Sequence, residues 1–229
     1  MFKLVQLNEI LENEFLDKVS FSKPTKSKNG KNFIHLNYGE DTNRDIYVQF
    51  PISNVPFGIR KKGNGNKYTL DSCLSDEHID YVRGFDKYII RHVKEILKES
   101  KNFKLSSSVK KVDGKPVFRQ RVSTKPPPVV FGVDKENIDF SEEIFSDPDG
   151  RMEFIVKICG IWYLEEDKVM GVDYLCQQMK IRKPKKGKRV VEEYLFSEAE
   201  DSSESDDSYG SGSDENKSDE EKLFSSDSE

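Results

Sequence analysis

Six apolar residues recur at helical intervals in the middle of the chain: Ile79, Val82, Phe85, Ile89, Val93 and Ile96, separated by three, three, four, four and three positions. That spacing puts them on one face and predicts one long amphipathic helix over residues 76–99. Ser75 has the type and position of an N-cap, His78 fails to complete a capping box, and Gly84 weakens the helix slightly. By residue type the polar face is read as a mixture of Asp76, Asp80 and Asp86 with Arg83, Lys87 and Lys94. Elsewhere the apolar residues are β-branched or aromatic and come in short runs. Strands are predicted at 2–7, 33–38, 46–50, 67–74, 116–122, 128–133, 152–159 and 172–181, with 160–164 continuing the seventh. Residues 8–15 read as a helical turn or loop, and 21–29 as a Lys-rich polar turn. FIHLNY and IYVQF look like the two arms of a hairpin. Pro51 and Pro56 are expected to bracket a non-helical crossover, and Gly63-Asn64-Gly65 is strong turn chemistry. Strands, one helix, then more strands favour a mainly β (α+β) fold, a β-barrel or a sandwich with one covering helix, over an α/β sheet.

Composition changes this picture mainly at the C-terminus. Residues 197–229 are Ser, Asp, Glu and Gly with Tyr209, Leu223 and Phe224 as the large apolar groups, and such a segment cannot offset its ordering entropy by burial. The expected organisation is therefore a domain over 1–181, a basic linker and terminal segment over 182–196 and a disordered acidic tail over 197–229. The formal charge of -5 conceals a tail of -11 and a body of +6, counted to residue 196. The two parts attract each other, and a polyanion would compete with the tail for the basic surface. Within the linker, RKPKKGKR has three readings: a nuclear-import signal, a phosphate-binding arm, or a solvated connection. Cys73, Cys159 and Cys176 are widely spaced and suggest neither disulfides nor a zinc site, which fits a reducing compartment. The first residues lack the uninterrupted apolar core of a signal peptide, and no run of 18 apolar residues occurs, so an intracellular protein without a membrane span is expected.

Catalysis finds little support. His35, His78 and His92 sit at spacings unsuited to a metal pair, Gly63-Asn64-Gly65 lacks the remainder of a phosphate loop, and Asp147-Pro148-Asp149-Gly150 lacks the sixth-position Gly and terminal Glu of a calcium loop. No enzyme activity, metal or cofactor is expected. A distributed signal points instead to nucleic acid: Lys26, Lys28 and Lys31 flank FIHLNY; Arg60, Lys61, Lys62 and Lys67 follow the prolines; Arg119 and Arg121 lie in a strand. Phe33, Tyr38, Tyr47, Tyr68, Phe118 and Trp162 are interleaved with them, with Tyr47, Tyr68 and Trp162 as the candidate stacking rings. Basic groups can follow phosphates while aromatic faces stack on unpaired bases, a combination suited to single strands. The plainer alternative is that the rings are core and the lysines solubilise loops. Strand alternation puts Arg119 and Arg121 on one sheet face and Phe118 and Gln120 on the other. The helix, with no unbroken basic stripe, is expected to cover the barrel and not to read nucleic acid.

The segments FSKPTKSKNGKNFIHLNY, IYVQFPISNVPFGI, MEFIVKICGIWYL and GVDYLCQQMKI resemble the single-stranded-DNA-binding proteins of nucleocytoplasmic large DNA viruses, on Gln49, Pro51, Pro56, Phe57, Gly58, Ile161, Trp162, Gly171, Val172 and Gln178. The resemblance implies an OB-like barrel that coats single strands, DNA with RNA as the alternative, in viral replication or recombination, within a cytoplasmic viral factory or the nucleus. It also implies replication or recombination proteins as partners of the acidic tail, and allows a homo-oligomer. The tail is similar to those of phage single-strand-binding proteins, except that Phe224 lies five residues before Glu229. Leu223-Phe224 is a docking anchor by type, and Ser197, Ser203, Ser211 and Ser218 each precede an acidic residue by three, the pattern of acidophilic kinases. The competing readings are an acidic-tailed, chaperone-like protein that binds basic partners and a virion scaffold.

Overall fold

The computed structural model describes residues 2–26, 31–39, 44–61, 68–97, 102–141 and 150–182. The chain divides into a unit of Met1–Lys186 and a unit of Gly187–Glu229, the second wholly outside the described residues. The basic run and the acidic tail therefore lie outside them, apart from Arg182.

The first unit is mainly β with one long helix. In chain order it contains β1 (Phe2–Gln6), a 3-10 turn (Leu7–Leu11), α1 (Asn13–Leu16), β2 (Val19–Phe21), β3 (Thr25–Lys26), β4 (Asn32–Tyr38), β5 (Asp45–Asn54), β6 (Ile59–Lys61) and β7 (Tyr68–Ser72). There follow α2 (Asp76–Ile96), β8 (Lys104–Leu105), β9 (Val109–Val112), β10 (Lys115–Val122), β11 (Val129–Phe131), β12 (Asn137–Ile138), β13 (Arg151–Leu164) and β14 (Val169–Arg182). Antiparallel pairing joins β5 to β13, β13 to β14 and β10 to β7, and a parallel pair joins β14 to β10. An antiparallel bridge from Asn54 to Cys73 closes the circle, with the Cys73 N–H donating to the Asn54 carbonyl at 2.9 Å. Five strands thus form a ring in the order β5-β7-β10-β14-β13. A closed five-stranded ring whose spatial order departs from chain order is an OB-like Greek-key barrel.

Alternation fills the barrel interior. Phe50 and Phe118 stack at 4.6 Å, and Phe118 meets Tyr174 edge-on at 5.1 Å. Helix α2 packs on β14, β10, β9 and the 3-10 turn, burying Ile79, Val82, Phe85, Ile89 and Val93. Each such side chain contributes roughly 1.5–3 kcal/mol of burial. Ser75 caps the helix by accepting from the His78 N–H at 3.4 Å, and Gly84 is where Leu11 approaches so closely that a Cβ would lie 2.8 Å from its Cδ1.

Four expectations are corrected. First, β4 and β5 are not a hairpin: both pair with the same edge of β13, β5 along Arg151–Ile158 and β4 along Gly160–Tyr163, so they lie one after the other on it. Gly160, at φ +150, marks the junction; a Cβ there would sit 2.1 Å from the Ile34 carbonyl oxygen. Second, Pro51 does not begin a crossover but lies inside β5, where the register slips between Met152 and Phe154. An irregularity of this kind tolerates the missing N–H. Third, the Lys-rich turn at 21–29 contains the two residues of β3, whose Thr25 and Lys26 pair with Phe33 and Asn32. Fourth, Asp86 is not on the polar face of α2 but is fully buried, whereas Ile96 is 44% exposed. The Asp86 carboxylate accepts from the Ser108 N–H at 2.9 Å, the Ser108 hydroxyl at 3.3 Å and the Tyr174 hydroxyl at 3.0 Å, which ties the helix to β14 and the segment before β9.

Candidate nucleic-acid interface

Pairing registers line up one outward residue from each of seven strands. Arg60 on β6 faces Thr69 on β7, Thr69 faces Arg121 on β10, Arg121 faces Leu175 on β14, Leu175 faces Lys157 on β13, Lys157 faces Tyr47 on β5, and Tyr47 faces Leu4 on β1. Six strand-to-strand steps make a row of about 29 Å along the barrel surface. Alternation keeps these side chains outside, because their neighbours Leu70, Gln120, Val122, Val156, Ile158, Ile46 and Val48 are buried.

The cations of the row are held by carboxylates. Arg121 makes a two-pronged contact with Asp173 at 3.1 and 2.8 Å, and Lys157 Nζ is 2.7 Å from Asp45. Arg60 and Arg119 share Asp71, whose side chain is fully buried between them; Arg119 contributes two bonds of 2.7 Å. The Asp173 hydrogen bond raises the Arg121 pKa above its ordinary value. Burial works to lower that of Lys157, but the bond to Asp45 and its charge outweigh this, so the ammonium keeps its proton. Four cations against three carboxylates give the face a small positive excess in a polar, half-buried setting. An incoming anion competes with aspartates for donors that are already aimed.

Above the row, β4 parts from β5 and opens a groove of about 690 Å³ between the barrel face and β2. Arg121, Lys157, Asp45 and Asp173 form its charged floor, Phe33 and His35 its aromatic wall, and Cys159 a neutral spot between them. Burial, then the Asp173 charge, pushes the Cys159 thiol up to about 12, which suits it to packing and not to nucleophilic chemistry. Phe33 and His35 meet edge-on at 4.8 Å. Trp162 pairs across from Phe33, covers Gly171 and carries Lys31 Nζ 5.3 Å above its ring. A register shift between Ile158 and Gly160 is what leaves Trp162 on the outer side; strict alternation from buried Ile158 would have turned it inward.

Of the residues expected from sequence, Arg60, Arg119, Arg121 and Tyr47 come together on the row and beside it. Tyr47 is half-buried, meets Phe2 edge-on at 5.3 Å, and has its hydroxyl pKa raised by burial and by Asp45. Lys26, Lys31 and Trp162 gather at the β3–β4 end. Lys61 and Tyr68 face each other on the β6–β7 edge. Lys28, Lys62 and Lys67 lie outside the described residues. Lys157, Asp45, Asp71, Asp173 and His35 were missing from the expected site, and of the interleaved rings Tyr38 and Phe118 are buried in the core. Lys157 was the findable one, since alternation with Phe154, Val156 and Ile158 puts a lone lysine on the wet face. Among the described residues no cluster of three or more His, Cys, Asp or Glu could hold a metal, and no helix is long and apolar enough to cross a membrane.

No protein family and no curated protein matches the sequence. Among solved structures, the chain is similar to gp2.5, a single-stranded DNA binding protein encoded by bacteriophage T7, at 12% identity and TM-score 0.45, covering 64% of this chain and 97% of that one. It is also similar to the single-stranded DNA-binding protein from bacteriophage Enc34: in complex with single-stranded DNA at 16% identity and TM-score 0.36, and as a C-terminal truncation at 14% and 0.36. Each Enc34 match covers 73% of this chain and 96% of the other.

Proposed function

We propose that the outer face of the barrel binds single-stranded nucleic acid, DNA in the first place, and acts by holding it. The observation that carries this reading is the cross-strand row with Arg60, Arg121, Lys157 and Tyr47, beside a groove walled by Phe33 and His35. Guanidinium and ammonium groups supply phosphate contacts, and half-exposed rings offer faces on which unpaired bases can stack. The bases of a duplex are already stacked and present no free face to such a wall.

The wider setting we propose is replication or recombination of a large DNA virus, in a cytoplasmic viral factory or the nucleus. The sequence resemblance supports it. In this reading the tail of charge -11 occupies the same cations until a strand displaces it, and once displaced is free to engage replication or recombination proteins. Anisotropy titrations of labelled single-stranded and duplex oligonucleotides at two salt concentrations test both levels, using the full chain and one ending at Phe196. The expected result is a preference for single strands, with tighter and more salt-sensitive binding when the tail is absent. Equal affinity with and without the tail would remove the gating role. Failure of both forms to bind single strands would remove the whole reading.

A further inference from the structure

One outward position along from Lys157 and Tyr47 the chemistry changes. Ile155 faces Gln49 on β5 and Gln178 on β14, so two amide side chains flank an aliphatic floor across three strands. The β11–β12 hairpin overhangs this point: Phe131 registers beside Lys180, and Phe131 and Lys135 wall a second groove of about 400 Å³. Its charges are Lys135, Lys180 and Arg182 against Glu153, and Glu153 is occupied by Arg182 at 2.6 Å. Neither lysine has a carboxylate within ion-pairing range among the described residues, in contrast to the neutralised cations of the first groove. Gln49 Oε1 accepts from Gln6 Nε2 at 3.1 Å, which leaves the Gln49 amino group to donate. The Gln178 amide has no partner among the described residues.

From this we infer that the second groove is a base-binding subsite for the continuation of the same single strand. The inference rests on the single-strand reading of the first groove. Three features choose this occupant. The net positive charge calls for an anion. Phe131 supplies a flat ring, and amides on either side of Ile155 can donate to and accept from a base edge, which the charged floor of the first groove cannot do with equal selectivity. Continuity supplies the third: Lys157 and Ile155 are successive outward positions of β13, and Tyr47 and Gln49 of β5, so the grooves are offset by about 7 Å along the strands. A chain leaving the first groove along β13 arrives at the second.

Two oligonucleotide lengths separate this inference from the reading beneath it. Fluorescein-labelled oligothymidylates of about 4 and about 12 nucleotides, one at the lower end of the length one OB fold holds and one well within it, are each titrated into the full-length protein. Trp162, the only tryptophan, lies beside the first groove, paired across from Phe33 of its wall, and reports on strand bound there. Phe131→Ala should weaken the longer oligonucleotide about tenfold, within the range of one lost stacking ring, and leave the shorter within about twofold. Lys180→Ala, at a surface position, should lower the salt slope for the longer one by about 0.7 and leave that of the shorter unchanged. Wild-type binding of both lengths by both variants would overturn the second subsite, as would equal losses at both lengths. If Arg121→Ala and Lys157→Ala leave both lengths and the Trp162 response unchanged, it is the first groove that fails.

Discussion

Replacing Asp86 with Asn should remove a pH dependence from the stability of the fold. Burial pushes the Asp86 carboxyl up from 3.8 to about 6, against the opposing effect of the hydrogen bonds from Ser108 and Tyr174 and the Lys110 charge. A carboxyl whose folded pKa exceeds its unfolded value binds more protons in the folded state. Its stabilising contribution is therefore complete below about pH 4 and is lost as pH rises through about 6. A displacement of about two pH units corresponds to about 3 kcal/mol between those limits. Asn can replace the carboxylate with its contacts intact. The Oδ2 position meets only the Ser108 N–H, so the amide oxygen belongs there, while the Oδ1 position meets the Ser108 and Tyr174 hydroxyls, whose oxygens can accept from an NH2. Urea unfolding of the wild type and Asp86→Asn at pH 4, 5, 6 and 7.5 should show their difference in stability changing by about 3 kcal/mol, with the wild type losing ground as pH rises. Asp86→Ala, which leaves three buried donors without an acceptor, should cost about 3–5 kcal/mol across the range. Parallel pH profiles for wild type and Asp86→Asn would refute the reasoning.

The helix and the ion pairs give further expectations. Ile89→Asp puts a carboxylate at a fully buried position and should abolish cooperative unfolding by circular dichroism, while Lys87→Ala, at an exposed position, should leave both stability and strand binding unchanged. Asp173→Asn removes the carboxylate that holds Arg121 and should tighten binding to an oligothymidylate, steepening the salt slope by about 0.7 as one more cation becomes available to phosphate. Weaker binding in that variant would mean that Asp173 serves to aim Arg121 more than to neutralise it.

Elements governed by local periodicity were legible in the sequence: the stripe from Ile79 to Val93, the cap at Ser75, and the alternation that puts Arg119 and Arg121 together on the outside. Pairing was harder to read. The alternation in Ile46–Phe50 is satisfied equally by β4 or β13, and the choice depends on a partner a hundred residues away and on Gly160, which lets β4 and β5 share one edge. Asp86 was misplaced because it was judged by residue type. Its position, seven residues after Ile79 and three before Ile89, lies in the middle of the apolar stripe, and a charged residue there signals a buried contact. The ion pairs were invisible for a different reason. Asp71 and Arg119 lie 48 residues apart and Arg121 and Asp173 52, so only the closed ring brings them together, and a sequence count of free basic residues overstated the charge open to phosphate.

The proposed function places single strands across the barrel face and not on the helix. The most direct measurement compares Arg121→Ala/Lys157→Ala with Lys87→Ala and wild type, titrating each with the same labelled oligothymidylate at low salt while following anisotropy and Trp162 emission. The expected result is a loss of tenfold or more in the double variant, from two phosphate contacts at roughly 1 kcal/mol or more each, with Lys87→Ala matching wild type and the Trp162 response shifted to higher oligonucleotide concentration in the double variant alone. Unchanged affinity in a folded double variant, or a large loss in Lys87→Ala with normal stability, would contradict it.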